Sequence, residues 1–271
     1  MADRSGMVDP AIFEDLQARI DEETTVREEL REIVQSLEKQ NKAVQFILAR
    51  AHSTPAYACT FGTSTLYRSA QLTTPVSKVI SDASVAVEDQ VAIISKLSQA
   101  ASKLPYYKWN TMWSRQIQDA TFGILLCGWL GGNGSDSKPG RLLTIEEVGG
   151  IMKVPVNLKD RDAFHLTIEE YLQALISLVD ELARLARNSV TLGDYLIPLL
   201  ISQFIKDLHA GFQILNLKND SLRRRSDGIK YRVKEVEDVV YDLSLRNLIP
   251  KDEKDEKEET GGVVVEQPGA W

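Results

Sequence analysis

Residues 216–245 read NLKNDSLRRRSDGIKYRVKEVEDVVYDLSL. From Ile229 onward the apolar positions are Ile229, Val233, Val236, Val240 and Leu243, in steps of four and three. That is the period of a helix with one apolar stripe. The seam covers about two heptads, short of the roughly three or four that would mark a coiled coil, and suits either a core face or an oligomer contact. Ahead of it, Asn219-Asp220-Ser221 has the composition of a helix cap, and Arg223, Arg224 and Arg225 follow. This reading places the three arginines at the head of a helix. A helix N-terminus carries about half a positive charge, so each arginine there costs a few tenths of a kcal/mol. An anionic partner would explain them.

Working outward, the rest of the chain is helical in pattern too. Asp9-Pro10 supplies an N-cap and a first-turn proline. Phe13, Leu16, Ile20, Leu30, Val34, Leu37, Val44 and Leu48 then recur along one long helix, with a break expected near Asp21–Thr25. Residues 53–75, rich in Ser and Thr and bounded by prolines, read as a long connection. A second helix carries Val76, Val79, Ile80, Ala83, Val87, Val91, Ile94 and Leu97. A third begins after Pro105 and becomes apolar all round in FGILLCGWL, as a buried helix does. GGNGSDSKPG (131–140) is a loop, and Thr144…Glu147 and Thr167…Glu170 are capping boxes opening two more helices. A further helix, with Pro198 near its start, runs to about Leu215. No strand pattern and no internal repeat are found. The expectation is an all-α fold of about seven helices: a flexible N-terminus over 1–9, one helical domain over 10–248, and an acidic disordered tail over 249–271.

The 271 residues are 43% hydrophobic and 26% charged, the balance of a globular protein. The net charge of −7 excludes a chain-wide basic nucleic-acid binder, but the charge is uneven. Residues 251–271 hold three Lys against seven Asp or Glu, a net −4. Residues 218–234 hold Lys218, Arg223, Arg224, Arg225, Lys230, Arg232 and Lys234 against Asp220 and Asp227, a local +5. Cys59 and Cys127 form no CxxC pair and no disulfide framework, which points to a reducing compartment. The N-terminus shows no secretory pattern, and the most apolar run is too short for a bilayer. A soluble intracellular protein with no membrane partner is expected.

Three kinds of site can be weighed. The basic cluster suits a phosphate backbone, because each neutralised phosphate releases counterions and arginine adds bidentate contacts; its plainer reading is a solvated helix face. PYYKWNTMWSR (105–115) interleaves Tyr106, Tyr107, Trp109 and Trp113 with Lys108 and Arg115. Such a stretch can stack single-strand bases, but two tryptophans one turn apart are more often core, which is the preferred reading. His52, His165 and His209 lack any zinc spacing, no phosphate-loop or GxSxG motif occurs, and no metal site is expected. Asp119, Asp180 and Glu181 are carboxylates on apolar helices that could hold Mg²⁺ for phosphodiester hydrolysis, and more often are ordinary surface acids.

Residues 185–246, from LARNSVTLGDYLIPLL through SLRRRSDGIKYRVKEVEDVVYDLSLR, closely resemble the translin and translin-associated factor X family. TTVREELREIVQSLEKQ (24–40) and FHLTIEEYLQAL (164–175) fit as well, and the resemblance covers most of residues 10–248. It lies on the translin side rather than that of the paralogous partner. The resemblance implies an all-α subunit of a hollow homo-octamer that binds single-stranded RNA and DNA on a basic inner surface. With translin-associated factor X it implies the scaffold role in an endoribonuclease acting on passenger strands of small RNAs and on transfer-RNA fragments, in cytoplasm and nucleus. Carried over position by position, the nucleic-acid contacts are Arg27, Lys108, Arg115, Lys218, Arg223, Arg224, Arg225 and Lys230. The histidines of the family's second basic region are here Asn110 and Met112, so the C-terminal cluster carries most weight. The partner's four catalytic acids correspond to Asp119, Phe122, Ser177 and Glu181, which leaves two acids. Binding then needs no cofactor, and Mg²⁺ is expected only in the partner subunit. Two alternatives stay open: an autonomous Mg²⁺-dependent ribonuclease using Asp119 and Glu181, and a helical scaffold that binds only protein.

Overall fold

The computed structural model describes residues 10–54, 75–132, 139–158, 162–218 and 220–249. The expected flexible N-terminus and most of the 53–75 connection, of the Gly-rich loop and of the acidic tail lie outside these residues. The described helices are α1 (Pro10–Ala49), α2 (Pro75–Ala101), α3 (Tyr106–Trp109), α4 (Ser114–Trp129), α5 (Ile145–Met152), α6 (Ile168–Thr191), α7 (Leu196–Ile214), α8 (Asp220–Ser226) and α9 (Ile229–Leu245). Seven of them, all but α3 and α8, are eight residues or longer. Among the described residues there is no strand, only one isolated parallel bridge between Val156 and Leu166. None of these helices is long and apolar enough to cross a membrane.

The all-α reading holds, with two local differences. α1 runs unbroken through Asp21–Thr25, because the Thr24 and Thr25 hydroxyls donate to the carbonyls of Ile20 and Asp21 one turn back. Those bonds satisfy the side chains inside the helix, so the polar run does not end it. After Pro105 the chain forms short α3 and a 3₁₀ turn, Asn110–Met112, before α4 begins. Both expected capping boxes are formed. The Thr144 hydroxyl accepts from the Glu147 amide, and the Glu147 carboxylate accepts from the Thr144 amide. Thr167 and Glu170 repeat the exchange.

The described residues group into two compact units. The first lies within Met1–Arg50, Lys78–Leu178 and Leu217–Ser226, the second within Ala51–Ser77, Val179–Asn216 and Asp227–Trp271. In the first unit α1 packs along α4. Leu30, Val34, Leu37, Val44 and Leu48 of α1 and Ile117, Ala120 and Ile124 of α4 are buried. One polar chain crosses this core: Gln90 donates to Asn41 Oδ1 at 2.6 Å, and Asn41 donates to the Gln116 carbonyl at 2.8 Å. Trp109 and Trp113 are both buried, so the preferred core reading of the tryptophans is right and neither is free to stack on a base. A tight approach shapes α5, where a methyl on Gly149 would meet Val156 Cγ2 at 2.3 Å.

In the second unit α9 packs along α7. Ile197, Ile201, Ile205 and Phe212 of α7 are buried, as are Ile229, Val236 and Leu243 of α9. The five-residue seam therefore divides. Its positions seven apart are covered by the chain itself, whereas Val233 and Val240 are half-exposed. As an oligomer seam the stripe is corrected at Ile229, Val236 and Leu243: it is core there. The period of an apolar stripe marks the side that is covered, not which chain covers it.

Candidate nucleic-acid interface

The basic stretch is split between two helices. α8 spans Asp220–Ser226, and Arg223, Arg224 and Arg225 form its last turn. α9 begins at Ile229, after Gly228. The expectation that the arginines oppose a helix N-terminus is thus overturned. They stand at the C-terminal end of a short helix, where the local field favours cations. α8 stops after two turns.

Not every cation in the stretch is available. Arg225 Nη1 donates to Gln173 Oε1 of α6 at 2.5 Å, and its Nη2 donates to Ser177 Oγ at 3.0 Å. Arg232 Nε donates to Asp180 at 2.8 Å and its Nη1 to Glu235 at 2.8 Å, while Glu235 also pairs with Arg187 at 2.8 Å. The carboxylates of Asp180 and Glu235 hold the Arg232 guanidinium above its ordinary basicity. Lys218, Arg223, Arg224 and Lys234 are exposed and have no side-chain partner among the described residues. Lys230 is exposed, its ammonium 5.0 Å from the Tyr231 ring centroid.

Two basic positions far apart in sequence meet in the first unit. The Arg27 guanidinium of α1 lies 5.7 Å from the Trp109 ring centroid, and the Lys108 ammonium lies 5.5 Å from it. Lys108 is also paired with Glu23, one turn before Arg27, at 2.5 Å, so much of its charge is already met. Arg115 is exposed on α4, four residues before Asp119.

The two acids considered for metal have other occupations. Asp119 is half-buried; burial raises its pKa, while Arg115 and Arg225 act against that rise. A carboxyl with two guanidinium neighbours is poor ground for a further cation. Glu181 accepts a 2.6 Å hydrogen bond from His52 Nε2 and lies 3.5 Å from Arg184. That His52 bond, ahead of the opposing effect of burial, holds its carboxyl below the ordinary range. The Asn188 amide completes the group, 2.9 Å from His52 Nδ1. Among the described residues no group of three or more His, Cys, Asp or Glu side chains could hold a metal ion. The His52–Glu181–Asn188 cluster was not foreseen, since its partners are 129 and 136 positions apart and no local spacing signals them.

Comparison with known proteins gives a consistent result. The profile of the translin family matches residues 25–247. Translin of Gallus gallus is 35% identical over 261 residues, covering 95% of this chain and 98% of that protein. Translin of Homo sapiens is 36% identical over 241 residues, covering 88% and 93%. Among solved structures, apo-NeC3PO superposes with a TM-score of 0.54 at 16% identity, covering 87% of this chain and 98% of that one. The AfC3PO–duplex RNA complex gives 0.56 at 13% identity, covering 88% and 99%. These two share the fold.

Proposed function

The chain belongs to the translin family, and from that premise we propose that it binds single-stranded RNA and DNA as a homo-octamer. In this reading it is also the non-catalytic scaffold subunit of an endoribonuclease completed by translin-associated factor X, in cytoplasm and nucleus. The observation that carries the binding half is the outward cationic set Lys218, Arg223 and Arg224, exposed without a side-chain partner among the described residues in a chain of net charge −7. A phosphate backbone supplies the anions such a set lacks. The RNA in the AfC3PO complex belongs to that protein and supports the reading by likeness of fold. Self-association is supported by Ile12, Phe13, Leu16 and Ile20 of α1, which stay exposed in the isolated chain at the three-and-four spacing of one helix side. Binding requires no metal or cofactor; Mg²⁺ belongs to the partner subunit.

The test is a fluorescence anisotropy titration with a labelled single-stranded RNA, its DNA counterpart and its duplex. It is run on the wild type and on the triple variant Arg223→Glu, Arg224→Glu, Arg225→Glu. The expected outcome is tight binding of the single strands by the wild type and its loss in a variant that elutes as the same oligomer. Equal binding by both proteins would sink the assignment. No binding by the wild type would leave a helical scaffold that contacts only protein.

A further inference from the structure

α8 has seven residues, and a helix that short does not persist alone in water. Something must fix it. Leu222 and Arg225 are three positions apart and so share one face. Leu222 is 3% exposed. Arg225 reaches α6 with both prongs of its guanidinium, 2.5 Å to Gln173 Oε1 and 3.0 Å to Ser177 Oγ. Gln173 is only 6% exposed, and a buried amide oxygen needs a donor, which Arg225 supplies. Ser177 Oγ in turn donates to the Gln173 backbone carbonyl at 3.2 Å, so that hydroxyl is held in place before Arg225 arrives. Arg223 and Arg224 fall on the remaining sides of α8, exposed.

We propose that the three arginines divide their work: Arg225 is a positioning residue that clamps α8 to α6, and Arg223 and Arg224 are the phosphate ligands it aims. The inference rests on the proposed RNA binding and separates residues that charge alone would treat as equivalent. A fork that spans two acceptors is a guanidinium property. The clamp therefore depends on the shape of Arg225 as well as its charge.

The decisive variant carries Gln173→Ala and Ser177→Ala, which change no charge and remove both acceptors of the Arg225 fork. If Arg225 is the clamp, this variant loses single-strand affinity by on the order of tenfold. Adding Arg225→Gln to it then costs nothing more, and Arg225→Lys in the wild-type background behaves like Arg225→Gln. If Arg225 is itself a phosphate ligand, freeing it from α6 leaves affinity unchanged or higher, and Arg225→Gln costs the same in both backgrounds. That result overturns the proposal. Amide hydrogen exchange over residues 220–226 gives a readout independent of RNA. Arg225→Gln should raise exchange there by on the order of tenfold while the α1 and α4 amides keep their protection. Unchanged exchange overturns the clamp. Failure of the wild type to bind any strand would overturn the functional reading instead, and exchange alone would then decide the clamp.

Discussion

Arg225 and Arg232 look like their neighbours in the sequence, yet each is held by acceptors 48 to 52 positions away or by a carboxylate one turn on. A cation at the surface is defined by what stands opposite it, and sequence order does not record that. The same holds for His52, whose side chain is 9% exposed and lies between Glu181 and Asn188. Because the His52 hydrogen bond depresses the Glu181 pKa below its ordinary 4.5, the folded state binds this proton less readily than the unfolded one. The pair's contribution is therefore whole above about pH 4.5 and is lost as pH falls through the depressed value. His52→Ala should cost about 1–2 kcal/mol near neutrality. Thermal melts of variant and wild type should converge as the pH falls below 4.5 and the Glu181 carboxylate takes up its proton. A gap that stays constant with pH would show that the Glu181 carboxylate is not its source.

The stripe of α9 shows what periodicity does and does not say. Its step of four and three found the helix and its inward side, but burial falls on every second member: Ile229, Val236 and Leu243. Val236 is 0% exposed, so Val236→Ala should destabilise by about 1.5–3 kcal/mol through lost burial and a residual cavity. Val233→Ala and Val240→Ala, at half-exposed positions, should each cost less than about 1 kcal/mol. Urea unfolding curves of the three variants measure this directly. Equal losses at all three positions would restore the uniform seam. Capping boxes, by contrast, were fully legible, because the two residues that exchange bonds are three apart and need no tertiary partner. The start of α8 falls within the capping composition at 219–221. Its end was not legible, since Asp227-Gly228 permits a stop without requiring one.

A chain with net charge −7 that binds a polyanion must do so through local clusters, and its affinity should fall steeply with salt. For single strands each neutralised phosphate contributes a slope of about 0.7 in log K against log salt. Arg223→Gln and Arg224→Gln should therefore each flatten the wild-type slope by about that much, measured by anisotropy at four or more salt concentrations. An unchanged slope would take both residues off the backbone. The sequence by itself determined the all-α class, the longer helices and the two capping boxes. These follow from hydrogen bonds and apolar periods that close within four residues. The family too was readable from ordered stretches such as residues 164–175 and 185–246. Only the tertiary structure decided which cations are free, that Arg27 and Lys108 meet over Trp109, and that Asp119 and Glu181 are engaged elsewhere. Those facts depend on side chains brought together from tens of positions apart, where distance in space, not along the chain, sets the interaction energy.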